Sequence, residues 1–423
     1  MRKAAVLGSN DHNPSNMSSP PPQFDYNSGR QTPHMLGSNT EKPLIIDMGT
    51  QSIKIGYSEL SSGDRFPSMM IPTLVGYPKL TKSAISSSLL RDDQTFVGIE
   101  ALKRSPLLSL KYPIEHGIIL DWEEINLLLD HAVLQCMKLN FSQLNSGLMM
   151  TEAPLNPKKN REKMTQLVFE QYQVPKFQIS MQSLNAIYAE GMHSGLVLEC
   201  GEGISTCVPV VEGYVLSHAI TRMDIGGRDI NEYLMDLLKN KVVFNTTFER
   251  EFARDIKEQS CQIKTNSALI NHNTFTPDRK KYSLPDGKTI EIHNEQYDAP
   301  EILFNDSLIG RDGEGLQHLV IKALDKCEID ARKTLTQNLV IAGGTSMLRG
   351  FSERLQTELI SLNEKEDKPY NSFNIIEKPY RRYISWIGAS ILASLSSFQP
   401  KWITKNEYEE HGVSIIHKKS MIQ

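Results

Sequence analysis

Residues 44–51 read Leu44-Ile45-Ile46-Asp47-Met48-Gly49-Thr50-Gln51, and residues 196–203 read Leu196-Val197-Leu198-Glu199-Cys200-Gly201-Glu202-Gly203. Each is a short apolar run that ends on an acid and a glycine. Each then resumes as a second apolar stretch, Ile53–Tyr57 after the first and Cys207-Val208-Pro209-Val210 after the second. That pattern predicts a buried strand, a tight turn and a return strand. The two acids lie 152 positions apart (199 − 47), so the chain reads as two similar halves.

Glycine lets a backbone bend tightly and approach a ligand closely, so amides in such turns can face phosphate oxygens. Two turns facing one another would clamp a triphosphate. Asp47, Glu199 and Glu202 could then hold the water shell of Mg²⁺, which takes only one or two carboxylates directly, and Lys54 could balance phosphate charge. A single acid-glycine turn is more often just a hairpin; the pair carries the argument.

Helices alternate with these strands. Asp121 precedes Trp122, Ile125, Leu128, Leu129, Ala132 and Val133 at helical spacing, with Glu124 completing a capping box. Pro157 opens another helix, with Met164, Val168 and Tyr172 on one face. A strand Leu339–Ala342 runs through Gly343-Gly344-Thr345 toward a helix bearing Phe351, Leu355 and Leu359. That third turn fits either an anion- or nucleoside-contacting helix N-terminus or a close packing corner. Gln182, at the head of the apolar segment Leu184–Tyr188, is either a solvated glutamine or one that orients an attacking water. Alternating strands and helices define an α/β chain.

The remaining segments are polar. Met1–Lys42, rich in Pro, Ser, Asn and Gly, reads as a disordered tail or a docking peptide. Lys79–Gln94 and Asn266–Pro277 read as exposed loops, and Asp286-Gly287 marks a hairpin turn. The 423 residues exceed what one core supports, so a multi-lobed body is expected. With 46 basic and 50 acidic residues the net charge is −4, which gives no pull toward nucleic acid. Five cysteines without a Cys-x-x-Cys pair read as reduced thiols. The apolar run Ala4–Leu7 is far shorter than a signal-peptide core, and nothing approaches a membrane span; cytosol or nucleus is the expected compartment.

Several longer segments then resemble the actin family, in actin order. They are Ile46-Asp47-Met48-Gly49-Thr50, Lys111-Tyr112-Pro113-Ile114-Glu115-His116-Gly117, Thr151-Glu152-Ala153-Pro154-Leu155-Asn156-Pro157, Gly226-Gly227-Arg228-Asp229, Arg254-Asp255-Ile256-Lys257-Glu258, Ala342-Gly343-Gly344-Thr345 and Trp386–Ala393. The resemblance runs from about Leu44 to Lys419. It implies an α/β actin-like ATPase fold, two lobes of two subdomains each around a nucleotide cleft that takes ATP with Mg²⁺, or Ca²⁺ in vitro. The implied subdomain 1 comprises residues 43–72, 113–189 and 381–423, subdomain 2 residues 73–112, subdomain 3 residues 190–225 and 312–380, and subdomain 4 residues 226–311. By position, Asp47, Gly49, Thr50 and Lys54 fall in the first phosphate loop and Gly201, Glu202 and Gly203 in the second. Gln182 matches the water-positioning glutamine, and Glu199 with Asp47 would hold the metal through water. Gly227, Lys257, Glu258, Gly343, Gly344, Thr345, Met347 and Arg382 match positions around the nucleotide. His116 matches a histidine that actin commonly methylates.

Departures cluster at the phosphates: Glu199 and Glu202 stand where actin has aspartate, Gln51 where it has glycine and Thr206 where it has histidine. One methylene moves a carboxylate by roughly 1 Å, and a displacement of about 1 Å can cost on the order of 100-fold in rate, so ATP binding with weak hydrolysis is expected. The loop Ser307-Leu308-Ile309-Gly310-Arg311 puts a cation where actin's inter-strand loop has methionine, a burden at an interface unless it finds a partner. The groove where the resemblance implies binding of actin-type subunits or actin-binding proteins matches at Tyr188, Gly213, Tyr214, Leu392 and Leu395, although Leu392 and Leu395 read equally well as core. The resemblance implies an ATP-binding cytoskeletal protein, a filament subunit or filament-associated. The alternative is a non-polymerising actin-related subunit of a chromatin-remodelling, dynein-activating or sperm-head complex. A small-molecule kinase on the same fold would need an acceptor pocket to which no segment is assigned.

Overall fold

The computed structural model describes residues 42–58, 66–79, 94–242, 244, 247–265, 278–284, 287–312, 314–370 and 372–419. The expected tail (apart from Lys42), residues 80–93 of the serine-rich stretch and the polar stretch 266–277 lie outside the described residues.

Two sheets carry the architecture and repeat one plan. In the first, Leu44–Met48 pairs antiparallel with Ser52–Tyr57 and parallel with Leu148–Glu152, which pairs in turn with Lys176–Met181; Met69–Pro72 and Ile403–Thr404 form the edges. In the second, Gly195–Cys200 pairs antiparallel with Ser205–Val211 and parallel with Leu339–Ala342, which pairs with Ile375–Ile376. The registers coincide. Asp47 lies opposite Lys54 and Glu199 opposite Thr206, seven positions on in each hairpin (54 − 47 and 206 − 199).

The apolar runs are continuous because both faces of each sheet are covered. Leu44 and Ile46 enter one core and Ile45 the other; likewise Leu196 and Leu198 point into one core and Val197 into another. Two helices join the inner faces. Gln182–Ala189 contributes Leu184 and Ile187 to the core beneath the second sheet, and Ile384–Ser394 contributes Trp386 and Leu392 to the core beneath the first. They pack backbone to backbone: a β-carbon on Gly388 would stand 1.8 Å from the Asn185 carbonyl oxygen, so only glycine permits this approach.

Local signals are partly overruled by tertiary contacts. Asp121 caps Trp122–Leu129 by accepting from the Glu123 and Glu124 amides at 3.1 and 3.4 Å. The expected capping box does not close, because Glu124 Oε1 instead accepts from Tyr77 Oη at 3.0 Å and Lys111 Nζ at 2.8 Å. The helix opened at Pro157 spans Lys158–Gln166, continues through Gln171 and buries Met164, Val168 and Tyr172. Strand Leu339–Ala342 leads only to a single 3₁₀ turn, Thr345–Met347; the long helix begins at Phe351. Of the two readings of Gly343–Thr345, the turn therefore opens a 3₁₀ segment and not the N-terminus of the long helix. Lys280–Ser283 and Thr289–Ile292 form the expected hairpin, with Asp286 outside the described residues. The five cysteines are free. Among the described residues no helix is long and apolar enough to cross a membrane.

Candidate functional site

The two acid-glycine turns open onto one cleft of about 690 Å³. Asp47, Gly49, Thr50, Lys54, Gln182, Glu199, Gly201, Glu202, Gly203, Lys257, Glu258, Gly343, Gly344, Thr345, Met347 and Arg382 all line it. Of the sequence-predicted residues only Gly227 does not. It lies behind the wall, at the start of helix Gly227–Leu238, where a β-carbon would stand 2.2 Å from Glu202 Oε2 and 2.8 Å from both Lys257 Nζ and Thr345 Oγ1. Its smallness lets that polar cluster close up.

In the first turn Asp47 is buried but fully engaged. Oδ1 accepts from Thr151 Oγ1 at 2.6 Å and Gln182 Nε2 at 2.9 Å, while Oδ2 pairs with Lys54 Nζ at 3.0 Å. Burial alone would raise this carboxyl; Lys54, Thr151 and Gln182 outweigh it and hold it below the usual carboxylate range. Gln182 is thus not a solvated residue. It is buried, and its amide also donates to the Met48 carbonyl at 3.1 Å.

The second turn lacks such compensation. Glu199 accepts from Ser183 Oγ at 3.1 Å, and among the described residues no cation reaches it at ion-pair distance. Burial first, and then the nearby charge of Asp47, push its carboxyl up to about 7. Glu202, two residues on, turns into its own lobe, 3.3 Å from Lys257 Nζ and accepting from Asn231 Nδ2 at 3.2 Å. Lys257 also donates to the Gly227 carbonyl at 2.8 Å, and Thr345 Oγ1 donates to the Gly201 carbonyl at 2.7 Å.

A bridge between the turns comes from residues quoted above only for their resemblance. His116 Nδ1 lies 2.7 Å from the Gly203 carbonyl oxygen, and the Gly117 amide donates to Thr50 Oγ1 at 3.3 Å. Thr151, Ser183 and Asn231 were likewise not singled out. Thr151 stands at the head of a quoted motif; the other two carry no signal of their own.

Among the described residues no group of three or more His, Cys, Asp and Glu converges. A divalent ion here would meet one or two carboxylates and take its other ligands from water or phosphate, which suits Mg²⁺. Glu199, near Asp47 and reached by the Lys54 charge only from beyond ion-pair distance, fits that role.

Away from the cleft, Leu392 is core, whereas Tyr214 and Leu395 are exposed and Tyr188 is half-buried. Arg311 does find partners: Nη1 donates to the Asp224 carbonyl at 2.9 Å, and Nη2 stands 3.8 Å from Asp229. Within the chain, then, this cation has the partners that its place in the loop calls for.

Two copies of one sheet plan, joined by a helix pair and opening on a shared polar cleft, define the duplicated α/β architecture of the actin-like ATPase fold. The actin family model matches residues 38–421, and the chain belongs to the actin family.

Proposed function

We propose that this chain is an actin-like, ATP-binding cytoskeletal protein, a filament subunit or a filament-associated protein, whose hydrolysis is slow and secondary to a structural role. One observation carries the reading: turns from the two repeated halves line opposite parts of one cleft, with Lys257, Glu258, Gly344, Met347 and Arg382 along the same wall. The amides of Gly49, Thr50, Gly201 and Gly203 and the Lys54 ammonium would hold the phosphates, and Lys257, Glu258, Gly344, Met347 and Arg382 the nucleoside. Mg²⁺, when bound through the water-linked carboxylates of Asp47 and Glu199, neutralises phosphate charge. Gln182, anchored through Nε2, keeps Oε1 as the atom that would accept from an attacking water. The longer Glu199 and the Gln51 side chain in the first turn are the reasons for slow turnover. Four subdomains with the boundaries given above, a cytoplasmic location and a partner groove at Tyr188, Gly213, Tyr214 and Leu395, with Leu392 in the core beneath it, belong to the same proposal.

The test combines nucleotide occupancy, γ-phosphate release and pelleting in Mg-ATP on one preparation. One ATP retained per chain with slow phosphate release supports the reading. Turnover like that of conventional actin refutes the carboxylate argument, and an empty cleft refutes the nucleotide reading. The second reading, a non-polymerising subunit of a larger complex, draws on Arg311, whose contacts tie the Ser307–Arg311 loop to its own body. Protein that stays soluble well above micromolar concentration and co-purifies with stoichiometric partners favours it.

A further inference from the structure

Gln51 and Glu258 belong to different lobes. Gln51 sits between Leu44–Met48 and Ser52–Tyr57 of the first sheet, and its carbonyl accepts from the Thr73 amide at 2.9 Å, so its backbone is fixed. Glu258 lies on helix Thr247–Ser260, which is anchored through Ile256 in the core beneath the second sheet. Across the gap, Gln51 Nε2 donates to Glu258 Oε1 at 3.2 Å, and Arg382 Nη2 stands 4.0 Å from the same oxygen. All three side chains line the cleft. Seven residues back on the helix, two turns along one face, Glu251 Oε1 accepts from Tyr112 Oη at 2.8 Å, a second tie to the opposite side.

We propose that Gln51 is a cross-cleft positioning residue: its amide holds the Glu258 carboxylate beside Arg382 and keeps the lobes together, so that this clasp sets how long a bound nucleotide is retained. The proposal deepens the nucleotide reading of the cleft and rests on it. A glycine or alanine at position 51 has no group that could cross the gap, and asparagine is one methylene too short.

Full-length protein would be loaded with N-methylanthraniloyl-ATP and Mg²⁺, then chased with excess ATP. Release from Gln51→Ala and Gln51→Asn should be about three- to tenfold faster than from the unmodified chain, the range that one hydrogen bond supplies. Gln51→Glu, which sets two carboxylates against each other, should release more than about tenfold faster. Because Glu258 also lines the nucleoside wall, the reference for the exchange is Glu258→Gln alone: in that background Gln51→Glu (the double variant) swaps donor and acceptor and should slow release, the reverse of its effect in the unmodified chain and a reversal that a merely structural residue would not give. Release unchanged in Gln51→Asn and Gln51→Glu, or a Gln51→Glu effect of the same sign and size with and without Glu258→Gln, overturns the clasp. If the unmodified protein retains no labelled nucleotide, the nucleotide reading fails by itself. The clasp is then decided without ligand by amide hydrogen exchange over residues 251–258: faster exchange in Gln51→Glu that the double variant reverses supports it, and no difference overturns it.

Discussion

Across from Asp47 the ladder places Lys54, whose ammonium meets the carboxylate at 3.0 Å; across from Glu199 the same ladder position holds Thr206, whose hydroxyl is buried without a hydrogen-bond partner among the described residues. Asp47 has three side-chain partners, and Glu199 has Ser183. One hairpin, used twice, therefore gives one site that is electrostatically satisfied by the protein and one that is not. The satisfied half is a structural anchor. The less satisfied half is where an external cation does the most to lower the free energy, because the half-buried Glu199 carboxylate lies near Asp47 and has no cation at contact distance among the described residues.

The sharpest way to break this comparison is to remove charge from each half in turn. Lys54→Met leaves Asp47 ionised, buried and without its cation, and should destabilise the nucleotide-free protein by about 3–5 kcal/mol, read as a large drop in the urea midpoint. Glu199→Gln should leave that midpoint unchanged or raise it, since it removes a charge that burial and the neighbouring Asp47 disfavour more than Ser183 and Lys54 favour it. The same variant should lose most of the stabilisation that Mg-ATP gives the unmodified chain. If both substitutions destabilise alike, the two halves are not different in the way described.

Titration gives a second contrast with a definite sign. The Glu199 carboxyl is raised from an ordinary 4.5 to about 7, so between those values the folded chain holds a proton that the unfolded chain has lost. Its contribution to stability is present at low pH and declines as pH rises through that window. The Asp47 carboxyl is lowered, so its contribution is present at neutral pH and is lost only as the solution is acidified below the ordinary aspartate value. Divalent-ion binding that displaces the Glu199 proton should weaken by about tenfold per pH unit below about 7. Isothermal titration with Mg²⁺ and saturating ATP analogue at pH 6, 7 and 8 measures it. A flat response, or one that persists in Glu199→Gln, removes Glu199 from the metal site.

Much of the frame was legible in the sequence, for a physical reason: strands covered on both faces read as unbroken apolar runs, and those runs stop where the chain must turn. Contacts between distant segments were not. Thr151 and Gln182 reach Asp47 over 104 and 135 positions, and nothing local marks them as its partners. Lys54 could be assigned to phosphate, but its place opposite Asp47 emerges only from register. Glu124 has the spacing of a capping box, yet Lys111 and Tyr77 offer its carboxylate stronger partners from another segment. Gly343–Thr345 precedes a helix in sequence, and the chain inserts a 3₁₀ turn first. Whether Arg311 finds a partner could not be read locally, because Asp224 and Asp229 lie more than 80 positions away in the chain.

The smallest effect tests Thr206 itself. Its hydroxyl is buried with no partner among the described contacts, directly across from Glu199 and on the same face of the sheet. Valine keeps the shape and β-branching while removing the unsatisfied group. Thr206→Val should therefore be neutral or stabilise the nucleotide-free protein by about 0.5–1 kcal/mol, because an unmade hydrogen bond costs more than an absent one. A loss of stability above about 1 kcal/mol would mean that the hydroxyl is already paired in solution. That result would indicate that the second hairpin has its own internal compensation. If instead the substitution is silent in the empty protein but slows phosphate release from the loaded one, the hydroxyl's partner is supplied with the nucleotide. The two hairpins would then differ by design of use: in the first the chain provides every partner of the buried acid, while in the second it leaves both the acid and the hydroxyl opposite it to be completed from outside.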